Sequence, residues 1–125
     1  MTLYNITRIL LDCHNRMPGI CIPGFARFHA YQGKIKRAAL AFYVPLENRI
    51  FLTDHAEKCL TPDTIELLIR HEYAHHVDVC LHGSSRHDAR WSSIAKCLGI
   101  IHPTAKIRLT PQESMFIRAY AGIEG

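Results

Sequence analysis

The stretch from Thr61 to Gly83, TPDTIELLIRHEYAHHVDVCLHG, has the sequence of one long helix with well-marked ends. Thr61 is a favourable N-cap residue, and Pro62 suits the first helical position because it has no backbone N–H to leave unpaired. The helical pattern continues to about Leu81, and Gly83 is typical of the residue that follows a helix. We therefore predict a single helix that begins at Pro62 and ends near Leu81.

This helix carries the pattern His-Glu-x-x-His at residues 71–75. On a helix, His71 and His75 stand about 40° apart and one turn apart in height, so both imidazoles can hold one zinc ion. Glu72 lies on the flank of that pair, where it reaches a zinc-bound water rather than the metal. The pattern therefore predicts two metal ligands, a general base and an open coordination position.

The opposite side of the helix is a broad apolar arc. It comprises Ile65, Ile69, Tyr73, Val77, Cys80 and Leu81. The helix should therefore be mostly buried, with its metal ligands emerging at one edge. His76 falls within this arc, so we predict that it is a buried structural histidine.

Three residues are candidates for the third metal ligand. His87 comes twelve residues after His75, at the start of the next helix, where a chain reversal can return it to the metal. His82 faces the same side, but lies about 10 Å further along a continuous helix. Asp78 also faces that side, and either ligates the metal or accepts the N–H of a ligand histidine and so orients it. We favour His87 and keep Asp78 and His82 as alternatives.

Size and composition indicate a single globular domain over residues 1–125. The net charge of +4 permits an acidic partner such as nucleic acid without requiring one. Nine of the 125 residues are histidine, the commonest metal ligand and the usual acid/base residue. This density supports a metal site.

The five cysteines are odd in number and form no C-x-x-C pair, which argues against a disulfide framework and a cysteine-rich zinc site. We expect free, mostly buried thiols in a reducing compartment. No segment resembles a signal peptide or a membrane span. We therefore expect no membrane association and a cytoplasmic or nucleoid-associated location.

The rest of the chain predicts further helices and a small sheet. The predicted helices run from Leu3 to Asn15, from after Ser84-Ser85 to Gly99, and from Thr110-Pro111 onward. The last begins with a capping-box pattern and carries an apolar stripe of Met115, Phe116, Ala119 and Tyr120. The predicted strands are Phe25–Tyr31, Ala38–Val44 and Arg49–Thr53, with a turn at Gln32-Gly33. The fold class is α+β, with a short antiparallel sheet of about three strands packed on the long helix.

The segment from Asn48 to Gly99 resembles the SprT-like metallopeptidases, the group that includes Spartan. The residues that carry the resemblance are Arg49–Thr53, His71-Glu72-Tyr73-Ala74-His75, Leu81-His82-Gly83, His87-Asp88-Ala89-Arg90-Trp91 and Leu98-Gly99. Asp88 departs from the pattern, since the family usually has glycine at that position. Many relatives also carry a cysteine-rich zinc ribbon, which is absent from this sequence, so the chain looks like a minimal catalytic domain.

The resemblance implies a zincin-like domain of the gluzincin type with one zinc ion per chain. The ligands would be His71, His75 and His87, and Glu72 would be the general base on a zinc-bound water. The implied activity is hydrolysis of protein substrates. In the best-understood relatives the substrates are proteins crosslinked to DNA.

Two further segments have open interpretations. The basic residues Arg27, His29, Lys34, Lys36 and Arg37 are interleaved with Phe28 and Tyr31, which is typical either of a nucleic-acid surface or of a solvated strand face. The strand Arg49–Thr53 is either the sheet edge nearest the cleft, where an extended substrate could pair, or a simple core strand.

Two functions compete with proteolysis. One is a non-catalytic binding protein on a zincin scaffold, for example a phage-encoded protein acting on a host factor. The other is a structural zinc site in which a fourth protein ligand fills the open position. The intact Glu72 argues against the first, because a purely structural zinc site needs no general base. Four protein ligands and no bound water would favour the second.

Overall fold

The computed structural model describes residues 2–28 and 40–124. Its helices are α1 (Leu3–Arg16), α2 (Asp54–Cys59), α3 (Pro62–His82), α4 (Ala89–Cys97) and α5 (Pro111–Glu124), and its strands are β1 (Gly24–Phe28), β2 (Ala41–Val44) and β3 (Arg49–Thr53). The chain is thus a small α+β domain in which a three-stranded sheet packs with several helices.

Helix α3 has the ends that the sequence predicts. The Thr61 hydroxyl accepts the backbone N–H of Thr64, and Pro62 is the first helical residue. Gly83 follows the helix with a left-handed φ of 82°, a conformation that favours glycine, and its N–H donates to the Val79 carbonyl at 2.7 Å. The local signals at both ends therefore determine the length of the helix that carries the candidate metal ligands.

Most of α3 is buried, as the apolar arc predicts. Ile69, Tyr73 and Val77 have no exposed surface, and they pack in one core with α1, β3 and α4. The prediction is wrong for Cys80 and Leu81, which are exposed, because the last turn of the helix lies at the protein surface. Burial of α3 thus covers the turns around the histidine pattern but not its C-terminal end.

The sheet is mixed, with strand order β1-β3-β2. β2 and β3 form an antiparallel hairpin closed by a 3-10 turn at Pro45–Glu47, whereas β1 pairs with β3 in the parallel direction. The prediction of a wholly antiparallel sheet is therefore wrong. Strand patterns record which residues are buried but not the direction of the partner, and here the chain passes from one side of β3 to the other between β1 and β2.

Of the two interpretations of the strand Arg49–Thr53, a sheet edge or a core strand, the structure supports the core strand. β3 has a partner on both sides, so it is the central strand of the described sheet and not an edge facing the cleft. β2 is the strand beside α3 on the outer side of the hairpin. The predicted turn at Gln32-Gly33 and the strand ends at residues 29–31 and 38–39 lie outside the described residues.

The helix α5 begins at the predicted capping box, in which Thr110 and Glu113 exchange side-chain to backbone hydrogen bonds of 2.9 and 3.1 Å. Its predicted apolar stripe is wrong at Met115 and Phe116, which are 53% and 44% exposed, and at Ala119, which is also exposed. The buried face instead contains Glu113, whose carboxylate also accepts the Thr61 backbone N–H at 3.0 Å. A polar contact with the start of α3 thus replaces part of the expected apolar packing.

The cysteines are free in the described structure, as predicted. Cys13 and Cys59 are buried, whereas Cys21, Cys80 and Cys97 are exposed, so the expectation of mostly buried thiols is wrong. Three of the cysteines lie at the surface, although a small apolar side chain favours burial.

Replacing Glu113 by glutamine should lower the free energy of unfolding by about 1–2 kcal/mol, because the charged acceptor of the Thr61 and Thr110 backbone N–H groups is lost. Burial alone would raise the pKa of Glu113, but hydrogen bonds from Thr110, Thr61 and Thr64 outweigh it and lower that pKa below its usual value. A lowered folded-state pKa gives stability that is present above the unfolded pKa and is lost as pH falls through the folded pKa.

The measurement is chemical denaturation of both proteins between pH 3.5 and 7 (roughly one unit below the reference glutamate pKa to well above it). The stability difference should be largest at neutral pH and shrink at acidic pH. Gln112→Ala, an exposed change on the same turn, is the control and should leave stability unchanged. A difference independent of pH would exclude ionised Glu113 as the source.

Candidate metal centre

Three histidine side chains converge beside the middle of α3. The Nε2 atom of His87 lies 3.1 Å from that of His71 and 2.9 Å from that of His75. Each ring offers one ligand atom, and the three atoms all lie within 4.8 Å of one another. Among the described residues, these three form the group of histidine, cysteine or acidic side chains that could hold a metal ion.

The reversal that returns His87 to α3 has local causes. Gly83 ends α3, and Asp88 caps α4 by accepting the Trp91 backbone N–H at 3.0 Å. The backbone of Asp88 is extended, with φ −101° and ψ −173°, so it does not require the glycine that the resembling family has there. His87 therefore sits immediately before a well-capped helix that packs on α3.

Trp91 supports all three imidazoles. Its ring centroid lies 4.6 Å from that of His71, 5.3 Å from that of His75 and 4.9 Å from that of His87. The side chain is 2% exposed. An aromatic wall of this kind limits the rotation of the rings and excludes water from one side of the cluster.

The donor set fits zinc. Nitrogen ligands at ~2.0–2.1 Å from a tetrahedral zinc lie about 3.3 Å apart. The two distances from His87 Nε2, to His71 and to His75, would therefore have to increase by only a few tenths of an ångström. Burial, with the neighbouring histidines, lowers the pKa of His71 to about 3 and that of His75 to about 4. Both imidazoles are therefore neutral near pH 7, the form that binds a metal.

Glu72 lies beside the cluster. One of its carboxylate oxygens is 4.0 Å from the His71 Nε2 atom, and the side chain is largely buried. Burial raises the pKa of Glu72 to about 8. The Tyr43 backbone N–H acts in the opposite direction, because it favours the charged carboxylate. A nearby divalent cation would act in the same direction as that N–H, because opposite charge stabilises the carboxylate.

A cavity of about 350 Å³ opens beside Glu72 and His75. Its remaining lining residues are Phe42, Tyr43, Pro45, Val79, Gly83, Ser84 and Ser85. β2 forms one wall and the loop after α3 forms another. The cavity therefore joins the candidate metal centre, the acidic side chain and the outer strand of the hairpin.

The two alternative ligands lie outside the histidine cluster. Asp78 is fully buried, and its Oδ1 atom accepts hydrogen bonds from His82 at 2.9 Å and from Arg90 at 2.8 Å. His82 is thus held against Asp78 at the end of α3. The structure brings His71, His75, His87 and Glu72 together and places Asp78 and His82 beside them.

Ser85 is a member of the site that sequence reasoning missed. Its hydroxyl oxygen lies 2.6 Å from the Nδ1 atom of His75. Serine is common in loops, so the residue type carries no signal. Its position two residues before His87, in the loop that must fold back onto the helix, is the one feature that pointed to it.

His76 has the structural role that the sequence predicts. It is fully buried, its Nε2 atom lies 2.6 Å from the Cys21 carbonyl oxygen, and its Nδ1 atom lies 2.9 Å from the Tyr43 hydroxyl. Because a carbonyl only accepts, Nε2 carries the proton and Nδ1 accepts from Tyr43. His76 thereby fastens β2 to α3.

The basic stretch is only partly described. Arg27 lies on β1 and forms an ion pair with Glu57 of α2, which occupies its guanidinium group. Phe28 packs edge-on against Phe42 and Phe51. The remaining residues of the stretch, from His29 to Arg37, lie outside the described residues, so the nucleic-acid prediction stays a prediction.

No protein-family model, curated protein or solved structure matches this chain. Within the described part of the chain, no helix has both the length and the apolar character needed to cross a membrane.

Replacing His87 by alanine should lower the affinity for Zn²⁺ by roughly 100-fold or more, since each ligand of a four-ligand zinc site contributes about 3 kcal/mol. Competition with a chromophoric chelator at fixed pH measures this affinity. His82→Ala is the matched control because His82 lies outside the cluster, and it should bind zinc far more tightly than His87→Ala. The reverse ranking would identify His82 as the third ligand.

Proposed function

We propose that this protein is a zinc-dependent metalloendopeptidase that hydrolyses protein substrates. The observation that carries the proposal is the convergence of three histidine Nε2 atoms with the Glu72 carboxylate 4.0 Å from one of them. Three ligands with an unligated carboxylate beside them are typical of catalytic zinc sites, whereas structural sites use four protein ligands.

His71, His75 and His87 would hold the zinc, which when bound supplies a Lewis acid and lowers the pKa of water in its open position. Glu72 would accept a proton from the attacking water and pass it to the leaving amine. The Tyr43 backbone N–H favours the charged form of the Glu72 carboxylate. Trp91 keeps the three imidazoles together and shields them from solvent on one side.

The outer edge of β2 is the proposed binding site for an extended substrate. The Thr53 N–H donates to the Leu40 carbonyl at 3.1 Å, so these residues form a hydrogen-bonded pair. Pairs alternate along an antiparallel ladder, which turns the backbone groups of Ala41 and Tyr43 away from β3. The contact between the Tyr43 N–H and Glu72 agrees with this orientation. A substrate strand could pair there within reach of the cavity.

The resemblance to SprT-like metallopeptidases adds DNA-associated proteins as one substrate class, and the net charge of +4 is compatible with it. The observations do not favour the non-catalytic binding protein, because that function would give the buried Glu72 carboxylate no role.

Glu72→Gln tests the proposal. The variant should keep its zinc and lose activity on a denatured protein by roughly 100- to 10,000-fold, the range for loss of a general base. Activity is measured by gel and mass spectrometry with and without a protein crosslinked to single-stranded DNA. Glu66→Gln, on the same helix and ion-paired with Arg70, is the control and should stay active. A zinc-loaded Glu72→Gln protein with full activity would refute the mechanism.

Pairing with β2 predicts an alternating response to backbone methylation of a peptide substrate. Methylating one amide at a time, at positions two or more residues from the cleaved bond, should lower kcat/KM roughly 5- to 10-fold at every second position, because one hydrogen bond to the strand is lost. Intervening positions should be unaffected. Equal sensitivity at adjacent positions would exclude strand pairing as the mode of binding.

A further inference from the structure

Ser85 connects a metal ligand to a buried charge. Its hydroxyl lies 2.6 Å from His75 Nδ1. Burial raises the pKa of the Asp78 carboxyl, but Ser85, His82 and Arg90 outweigh it and lower that pKa. Oδ1 of Asp78 accepts hydrogen bonds from His82 and Arg90, whereas the buried Oδ2 atom makes no hydrogen bond within the described residues. The Ser85 hydroxyl therefore contacts His75 and lies within the influence of a buried carboxylate.

We propose that Asp78 and Ser85 are positioning residues that hold His75 in the tautomer with its proton on Nδ1, so that the Nε2 lone pair points at the metal. The inference rests on the metal centre proposed above and concerns how that centre is kept ready for zinc.

The direction of the hydrogen bonds follows from the charges. Arg90 lies 2.8 Å from the fully buried Asp78 carboxylate and compensates its charge, so this carboxylate is ionised and only accepts. The Ser85 O–H therefore points toward this negative charge, in agreement with the lowering of the Asp78 pKa by Ser85. Its remaining lone pairs can only accept, which requires the proton of His75 to be on Nδ1.

Only one of the two helix ligands has this support. The Nδ1 atom of His71 is buried and has no hydrogen-bond partner among the described residues, so packing against Trp91 holds that ring. The ring of His75 is less buried, and it stacks on Trp91 with the two ring centroids 5.3 Å apart. Stacking alone does not fix the rotation of the imidazole about its Cβ–Cγ bond, so a hydrogen bond has to fix it. Ser85 supplies it.

Asp78 also acts on the loop that carries the third ligand. Arg90 bonds both Asp78 and the Ser84 carbonyl, at 2.8 and 3.2 Å, and so spans the loop on which His87 lies. One buried carboxylate thus orients His75 through Ser85 and anchors the loop of His87 through Arg90. Hydrogen bonds of this kind to ligand histidines typically change metal affinity by ~10–100-fold.

The test compares Ser85→Ala, Ser85→Thr and Ser84→Ala with the wild-type protein. Zn²⁺ affinity is measured by chelator competition, and the stability of the metal-free proteins by thermal unfolding. Ser85→Ala should lose about 10-fold or more in affinity with little change in metal-free stability. Ser85→Thr keeps the hydroxyl and should recover most of the affinity, and Ser84→Ala, a serine of the same loop and cavity, should bind like the wild type.

A second readout needs neither metal nor activity. Imidazole ¹⁵N spectra of the metal-free wild-type protein at neutral pH should show His75 with its proton on Nδ1, and Ser85→Ala should show a mixture of tautomers. A wild-type His75 protonated on Nε2 would overturn the inference even if Ser85→Ala failed to fold. So would equal zinc affinity in Ser85→Ala and the wild type.

The two proposals fail differently. If the wild-type protein bound no zinc, the proposed metal centre would be refuted whatever the tautomer of His75. If the protein bound zinc but Glu72→Gln stayed active, the proposed role of Glu72 as general base would fail while the orientation of His75 by Ser85 and Asp78 would stand.

Discussion

Burial of α3 is the constraint on which the rest of the structure depends. The helix is covered on most of its circumference, yet it carries charged and polar side chains into that buried region. Each of them needs a partner, because an unpaired buried charge or polar group is costly. Arg70 finds Asp12 of α1, Glu66 and the Leu98 carbonyl at the end of α4. The partners of the helix thereby determine where the neighbouring elements lie.

The third ligand illustrates how this arrangement serves the site. A helix alone can present two histidines on one face, so a third has to come from a chain reversal. Gly83 permits the turn, the pair between Arg90 and buried Asp78 holds it, and the Asp88 cap begins the next helix. The loop is therefore held by polar contacts on both sides of His87, which keeps the three rings close together.

Local signals in the sequence were enough for the long helix and for the placement of His71 and His75 on one face. The N-cap, the proline, the terminal glycine and the one-turn spacing of His71 and His75 act over a few residues, so they can be read without knowledge of the fold. The parallel pairing of β1, the central place of β3 and the buried face of Glu113 depend on contacts between distant segments, which periodicity does not record. The short helix α2 and the role of Ser85 were missed for the same reason.

The strand β2 would join the chemistry of the proposed site to the binding of a substrate. Its Tyr43 side chain is fastened to α3 through His76, and the Tyr43 backbone N–H favours the charged form of Glu72. The same strand has the backbone groups that face the cavity. A displacement of β2 would therefore move the proposed substrate strand and disturb the proposed general base together. Under the proposed function, the adjacent residues His75 and His76 have separate roles: His75 would hold the metal, and His76 fixes the strand that the substrate would meet.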